Sequence, residues 1–161
     1  MSADLRILEK DVVIETTTRL MIPFIQIFGF YVLWGTEGSG GGFQGGLIIA
    51  SSFILYVTVF GIVKGRRKMS ESWNTFFKSL GLIFYAGAGI SAIIFSLAMA
   101  EFLNYSAIPL AAIMGGPMTR GFVVGNVVEV GIGITVMAAF TSLFFDLAWK
   151  GEREEEGGEY K

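Results

Sequence analysis

Glu129 stands inside Phe122–Trp149, an apolar run long enough to cross a bilayer. A carboxylate at membrane depth costs ~2.5–3.5 kcal/mol even on a lenient insertion scale, so it must face protein or water and not lipid. Gly121, Gly125, Glu129 and Gly133 recur every fourth residue and therefore share one face of a helix, with Asn126 on its flank. That pattern predicts a carboxylate in a groove of bare backbone with an amide beside it. A hard cation such as sodium takes carboxylate, amide and backbone oxygens, and a proton site needs a carboxylate whose pKa is raised by burial, so either cargo fits. The same residues also fit a structural role, in which the glycines admit a partner helix and Glu129 pairs with a Lys, Arg or hydroxyl of that partner. With the helix centred near Ile134, a 1.5 Å rise puts Glu129 on the order of 7 Å from the midplane, on the outer side.

Two other groups carry polar chemistry. Glu15 and Arg19 have the favourable i, i+4 order for an ion pair and share a stripe with Ile22 and Gln26. Arg19 can snorkel to the cytoplasmic surface, so the pair reads as an anchor. The second group is the turn Gly40-Gly41-Gly42-Phe43-Gln44-Gly45-Gly46, where glycines let backbones approach closely, a helix-packing signature for Gly40, Gly41, Gly42, Phe43, Gly45 and Gly46. Gly40, Gly42 and Gly45 also match GxGxxG. A dinucleotide site would need a strand before the glycines and an acid about twenty residues on, and the chain offers neither.

The absence of Cys and His excludes disulfides, thiolate or imidazole metal sites, haem, iron–sulfur ligation and His-based acid–base catalysis. The sequence therefore predicts no catalytic residue, no metal site and no bound cofactor, with a sodium ion as a transported species. A net charge of −2 without a basic excess argues against nucleic acid as a partner. The mixed, acidic stretch Met1–Arg19 is unlike a signal peptide.

These residues need a membrane to hold them. Of the 161 residues, 53% are hydrophobic and 16% charged, and four runs approach or exceed the ~20 residues a spanning helix requires: Thr18–Trp34, Gly45–Val63, Phe76–Ala100 and Phe122–Trp149. The expected fold is an all-α integral membrane protein with four transmembrane helices, residues 1–149 forming one domain and 150–161 a solvated, mobile acidic tail. Pro23 is expected to kink the first helix. Lys64-Gly65-Arg66-Arg67-Lys68 is the densest positive cluster, which puts that loop and both termini in the cytoplasm. The other loops, Gly35–Gln44 and Glu101–Gly121, hold one Lys/Arg between them, Arg120. Within the latter, Ile108–Met114 is too short to cross and is expected at the interface. Ala88, Ala92, Ser96 and Ala100, lightened by Gly81, Gly87 and Gly89, form a small-residue ridge that wants a close helix neighbour.

Ser39 through Gly46 resembles the glycine turn of the MrpB (MnhB) family of multi-subunit sodium/proton antiporters, with Ser39 where that family has proline. Glu129 through Val136 is similar to its later acidic, Val/Gly-rich helix, where the family carries Asp. The resemblance covers about Ile14 to Asp146. It implies a non-catalytic, multi-pass plasma-membrane subunit that contributes to cation and proton translocation beside antiporter-like subunits. Such modules work as free antiporters or couple to hydrogenase-like or sulfur-reducing peripheral subunits. The alternative is a structural scaffold with no ion pathway of its own. A stand-alone transporter fits less well, because one buried carboxylate with few polar partners makes a poor complete pathway.

Overall fold

The computed structural model describes residues 12–35, 40–96 and 102–157. Four helical stretches are long and apolar enough to span a membrane: α1 (Val12–Leu33), α2 (Gly42–Phe60), α4 (Glu71–Phe95) and a composite run, Gly116–Ala148. The composite begins with α6 (Gly116–Val123), passes through a π-helical turn at Val124–Val128 and continues as α7 (Glu129–Gly157). Among the described residues there are also two short α-helices, α3 (Ile62–Lys68) and α5 (Ala111–Met114), and a 3-10 turn at Tyr105–Ala107. The all-α membrane fold with four spans is therefore present. Residues 150–157 of the acidic tail continue α7, and 158–161 lie outside the described residues.

Element boundaries follow local chemistry. α4 starts at Glu71, five residues before the apolar run, because the Ser70 hydroxyl accepts a hydrogen bond from the Trp73 N–H and Glu71 complements the helix N-terminus. α2 ends at Phe60, three residues earlier than the apolar run, because Gly61 has φ 86°, a left-handed conformation that favours glycine. The basic cluster expected in a loop, Lys64–Lys68, instead lies within α3, which follows the left-handed Gly61. α1 continues through Pro23.

α1 packs on α2, α2 on α7, and α7 on α4, so α1 and α4 stand at the two ends of a row. Glycine sets the close spacing at each seam. A Cβ at Gly29 would meet Ile49 and the Gly45 carbonyl, one at Gly46 would run into the Gly133 backbone, and one at Gly81 would strike Gly131 and Thr135. Two buried clusters close the ends. Ala88 and Ala92 of the small-residue ridge pack with Tyr105, Val123 and Val128, while Val57, Ile62, Met69 and Phe145 gather near the basic cluster. Ile113 on α5 is 84% exposed.

Candidate functional site at the start of the second helix

α2 begins without a side-chain cap from its own neighbourhood, since Gly41 at its N-cap offers no hydroxyl or carboxylate. The first N–H groups of any helix lack intrahelical acceptors and carry the positive end of the helix dipole. Glu129 fills that vacancy from another helix: its Oε2 accepts a hydrogen bond from the Gly42 N–H. The fit depends on glycine. A Cβ at Gly41 would lie 3.2 Å from Glu129 Oε2, and one at Gly42 would collide with the Glu129 carbonyl. The glycine turn and the membrane carboxylate, 87 residues apart, are thus two halves of one site.

The remaining turn glycines tie in α1 and α7. Gly40 sits against Val32, Gly45 against Leu33 and the Gly29 carbonyl, and Gly46 against Gly133, while the Phe43 ring, 54% exposed, meets Phe140 of α7 edge to face with centroids 6.3 Å apart. Ser39 lies outside the described residues.

The expected four-residue glycine face is only partly present. Gly125 and Gly133 are buried, but Gly121 is exposed and nothing lies within 4 Å of where its Cβ would be. The reason is the π-helical turn: the Glu129 N–H bonds the Val124 carbonyl, five residues back, which widens the turn and changes the angular spacing between α6 and α7. Asn126 is likewise exposed, and its Nδ2 donates to the Phe122 carbonyl of its own helix at 3.0 Å. The structure does not bring it to Glu129. The i, i+4 pattern assumed an unbroken α-helix, and single-turn π-bulges leave no simple signal in residue types.

Glu15 and Arg19 form the i, i+4 ion pair that the spacing predicts, with Arg19 Nη2 3.7 Å from Glu15 Oε2. Gln26, on the same stripe, donates through Nε2 to the Ser52 hydroxyl at 3.2 Å.

Three polar residues of the α4–α7 seam escaped the sequence reading. Lys78, a half-buried cation within the third apolar run, donates from Nζ to the Ser142 hydroxyl at 3.1 Å. Asn74, one turn earlier on the same face, is 2% exposed and its Oδ1 has no hydrogen-bond partner. Lys78 was legible as a charge in an apolar run; the burial of Asn74 and Ser142 depends on how α4 meets α7. In the segment between α4 and α6, burial pushes the Tyr105 phenol above its ordinary pKa, and neighbouring Tyr85 adds to the shift.

Along α7, Glu129 and Ser142 are separated by thirteen residues, or about 20 Å of helix. Between them Thr135 faces the α4 seam with its hydroxyl bonded to the Gly131 carbonyl of its own helix. The described residues thus hold a carboxylate near the middle of the fourth span and an ammonium toward its C-terminal end, without a continuous polar chain joining them.

Residues 13–142 match a family described as a domain related to the MnhB subunit of Na+/H+ antiporters. A protein of Staphylococcus aureus (strain Newman) named "Putative antiporter subunit mnhB2" is 40% identical over 87 residues, covering 53% of this chain and 59% of that protein. One of the same name from Staphylococcus haemolyticus (strain JCSC1435) is 41% identical over 86 residues, covering 53% of this chain and 56% of its own length. The chain therefore spans less than two thirds of the length of these relatives.

Proposed function

Because the chain belongs to the MnhB family of Na+/H+ antiporter subunits and carries four membrane-spanning helices, we propose that it is a non-catalytic subunit of a sodium/proton antiporter assembly in the plasma membrane, building the helix frame on which ion-conducting partner subunits sit. The observation that carries this reading is the engagement of Glu129 by the Gly42 N–H. A carboxylate whose burial would otherwise demand an ion has instead a helix N-terminus as its counter-charge. The names of the relatives favour a free antiporter as the setting; a module attached to hydrogenase-like subunits is the other setting.

A second reading has its own support. Glu129 is only partly buried, and among the described residues the hydrogen bond it accepts uses Oε2. Oε1 is then available to a proton or cation arriving at the π-helical turn, a kind of irregularity often found at functional sites.

Glu129→Gln and Glu129→Ala separate the two readings. A glutamine oxygen still accepts from Gly42, so the frame reading expects the Gln variant to assemble and to retain sodium-dependent proton exchange in membrane vesicles. The Ala variant leaves the helix start uncapped and should destabilise the assembly by about 1.5–3 kcal/mol. A Gln variant that assembles fully yet loses exchange would move the carboxylate into the ion path.

A further inference from the structure

The row arrangement leaves a long groove over α2 and α7, bounded by α1 on one side and α4 on the other. Its main cavity, about 650 Å³, is lined by apolar side chains including Phe30, Ile49, Phe53, Phe77, Val130 and Met137. Trp34 lies toward one end, and Trp73 and Lys68 toward the other. A second cavity of about 390 Å³ continues it past Gln26, Phe53 and Lys68 to Arg19 and Tyr56. From Arg19 to Trp34, α1 covers about 22 Å, most of the ~30 Å hydrocarbon thickness.

The charge at one end distinguishes this groove from ordinary lipid-facing surface. Tyr56 and Phe60, with ring centroids 4.6 Å apart, gather three cations around them. The Arg19 guanidinium lies 5.1 Å and Lys64 Nζ 6.0 Å from the Phe60 ring, and Lys68 Nζ lies 6.0 Å from the Tyr56 ring. Among the described residues the carboxylate paired with this group is Glu15, on Arg19. Among the described residues, three positive charges against one negative leave a net charge of +2 at the mouth of an apolar slot.

The geometry points to a specific binding site for an anionic phospholipid, with the headgroup phosphate on Lys68 and Lys64 beside Arg19 and an acyl chain along the groove between α1 and α4. Basic pockets between membrane helices recognise such headgroups because each cation near an anionic surface contributes to binding. A partner helix suits the groove less well. A partner helix with an apolar face would leave the +2 charge at the mouth without a counter-charge, which an anionic headgroup supplies. The internal Gln26–Ser52 hydrogen bond also leaves the slot without an amide demanding a polar partner.

The test uses the chain in the assembly with which it purifies, reconstituted in phosphatidylcholine vesicles. These contain the same minor fraction of either phosphatidylglycerol or phosphatidylcholine bearing a photoactivatable acyl chain. Adducts on peptides containing Phe30, Phe53 and Met137 should be several-fold more abundant with phosphatidylglycerol. Lys64→Gln and Lys68→Gln should each reduce that preference roughly fivefold, and both substitutions lie on exposed side chains. Equal labelling by the two lipids would overturn the proposal and leave an ordinary lipid-facing surface. A neighbouring subunit cross-linking to a photoreactive residue at Phe30 in place of lipid adducts would also overturn it, assigning the groove to a helix. The readout is lipid selectivity, so it is independent of whether the assembly exchanges ions.

Discussion

At Lys78 the side chain is only half buried, and the Ser142 hydroxyl 3.1 Å away is its hydrogen-bond acceptor on α7. The two partners are not equivalent. Removing the ammonium leaves a hydroxyl that can turn to its own helix backbone, as Thr141 already does toward the Met137 carbonyl at 2.8 Å. Removing the hydroxyl leaves a half-buried cation short of an acceptor within the protein, the costlier defect. Ser142→Ala should therefore destabilise the detergent-solubilised assembly by more than Lys78→Met, with a difference of about 1 kcal/mol or more between them in thermal unfolding. The reverse order would mean that Lys78 has an essential anionic partner elsewhere. At this scale sequence went far with Glu129 and less far with its surroundings. The burial cost singled out Glu129, but its partner is a backbone N–H, and residue identity does not say where a backbone donor will lie. Asn126 misled because its position relative to Glu129 depends on one irregular turn.

The elements are held by seams that tolerate no Cβ, and α4 contains an internal comparison. Gly81 and Gly87 lie six residues apart on one helix, yet a Cβ at Gly81 would strike Gly131 and Thr135 whereas one at Gly87 meets nothing within 4 Å. Gly87→Ala should leave the fold intact and add up to about 1 kcal/mol of helix stability, the ordinary difference between the two residues. Gly81→Ala must force α4 away from α7 and should lose about 1–3 kcal/mol despite the same gain in propensity. Melting of the purified assembly would compare them, and equal effects would show that the α4–α7 contact is looser than described. The sequence marked both glycines as part of one ridge. Which of them faces a helix depends on the orientation of α4 against α7, information that a run of small residues does not contain. Helix number and rough extent were legible because apolar length is a strong constraint. The ends moved by a few residues because Ser70, Gly61 and the remote Glu129 decide where helices start and stop.

For the whole molecule, the asymmetric charge distribution carries an expectation of the membrane orientation. Arg66, Arg67 and Lys68 fall on the last turn of α3, between the second and third spans, with Lys64 one turn earlier. The described part of the segment between α4 and α6, residues 102–115, contains no Lys or Arg. The positive-inside rule therefore expects α3 and both termini in the cytoplasm, with Glu129 and the glycine turn toward the outer face. The same orientation places the cation group of Arg19, Lys64 and Lys68 in the leaflet where anionic lipid supplies a negative surface potential, so topology and lipid recognition reinforce each other. Single cysteines can be introduced without background, since the chain has none of its own. Ser72→Cys, beside α3 at the start of α4, should react with a membrane-impermeant thiol reagent only from the cytoplasmic side. Ile113→Cys, on the exposed helix α5, should react only from outside. Reaction of both from one side would break the four-span arrangement. Opposite sides but in reverse would keep the spans and place Glu129 toward the cytoplasm, removing the electrostatic basis for the cytoplasmic-leaflet lipid site.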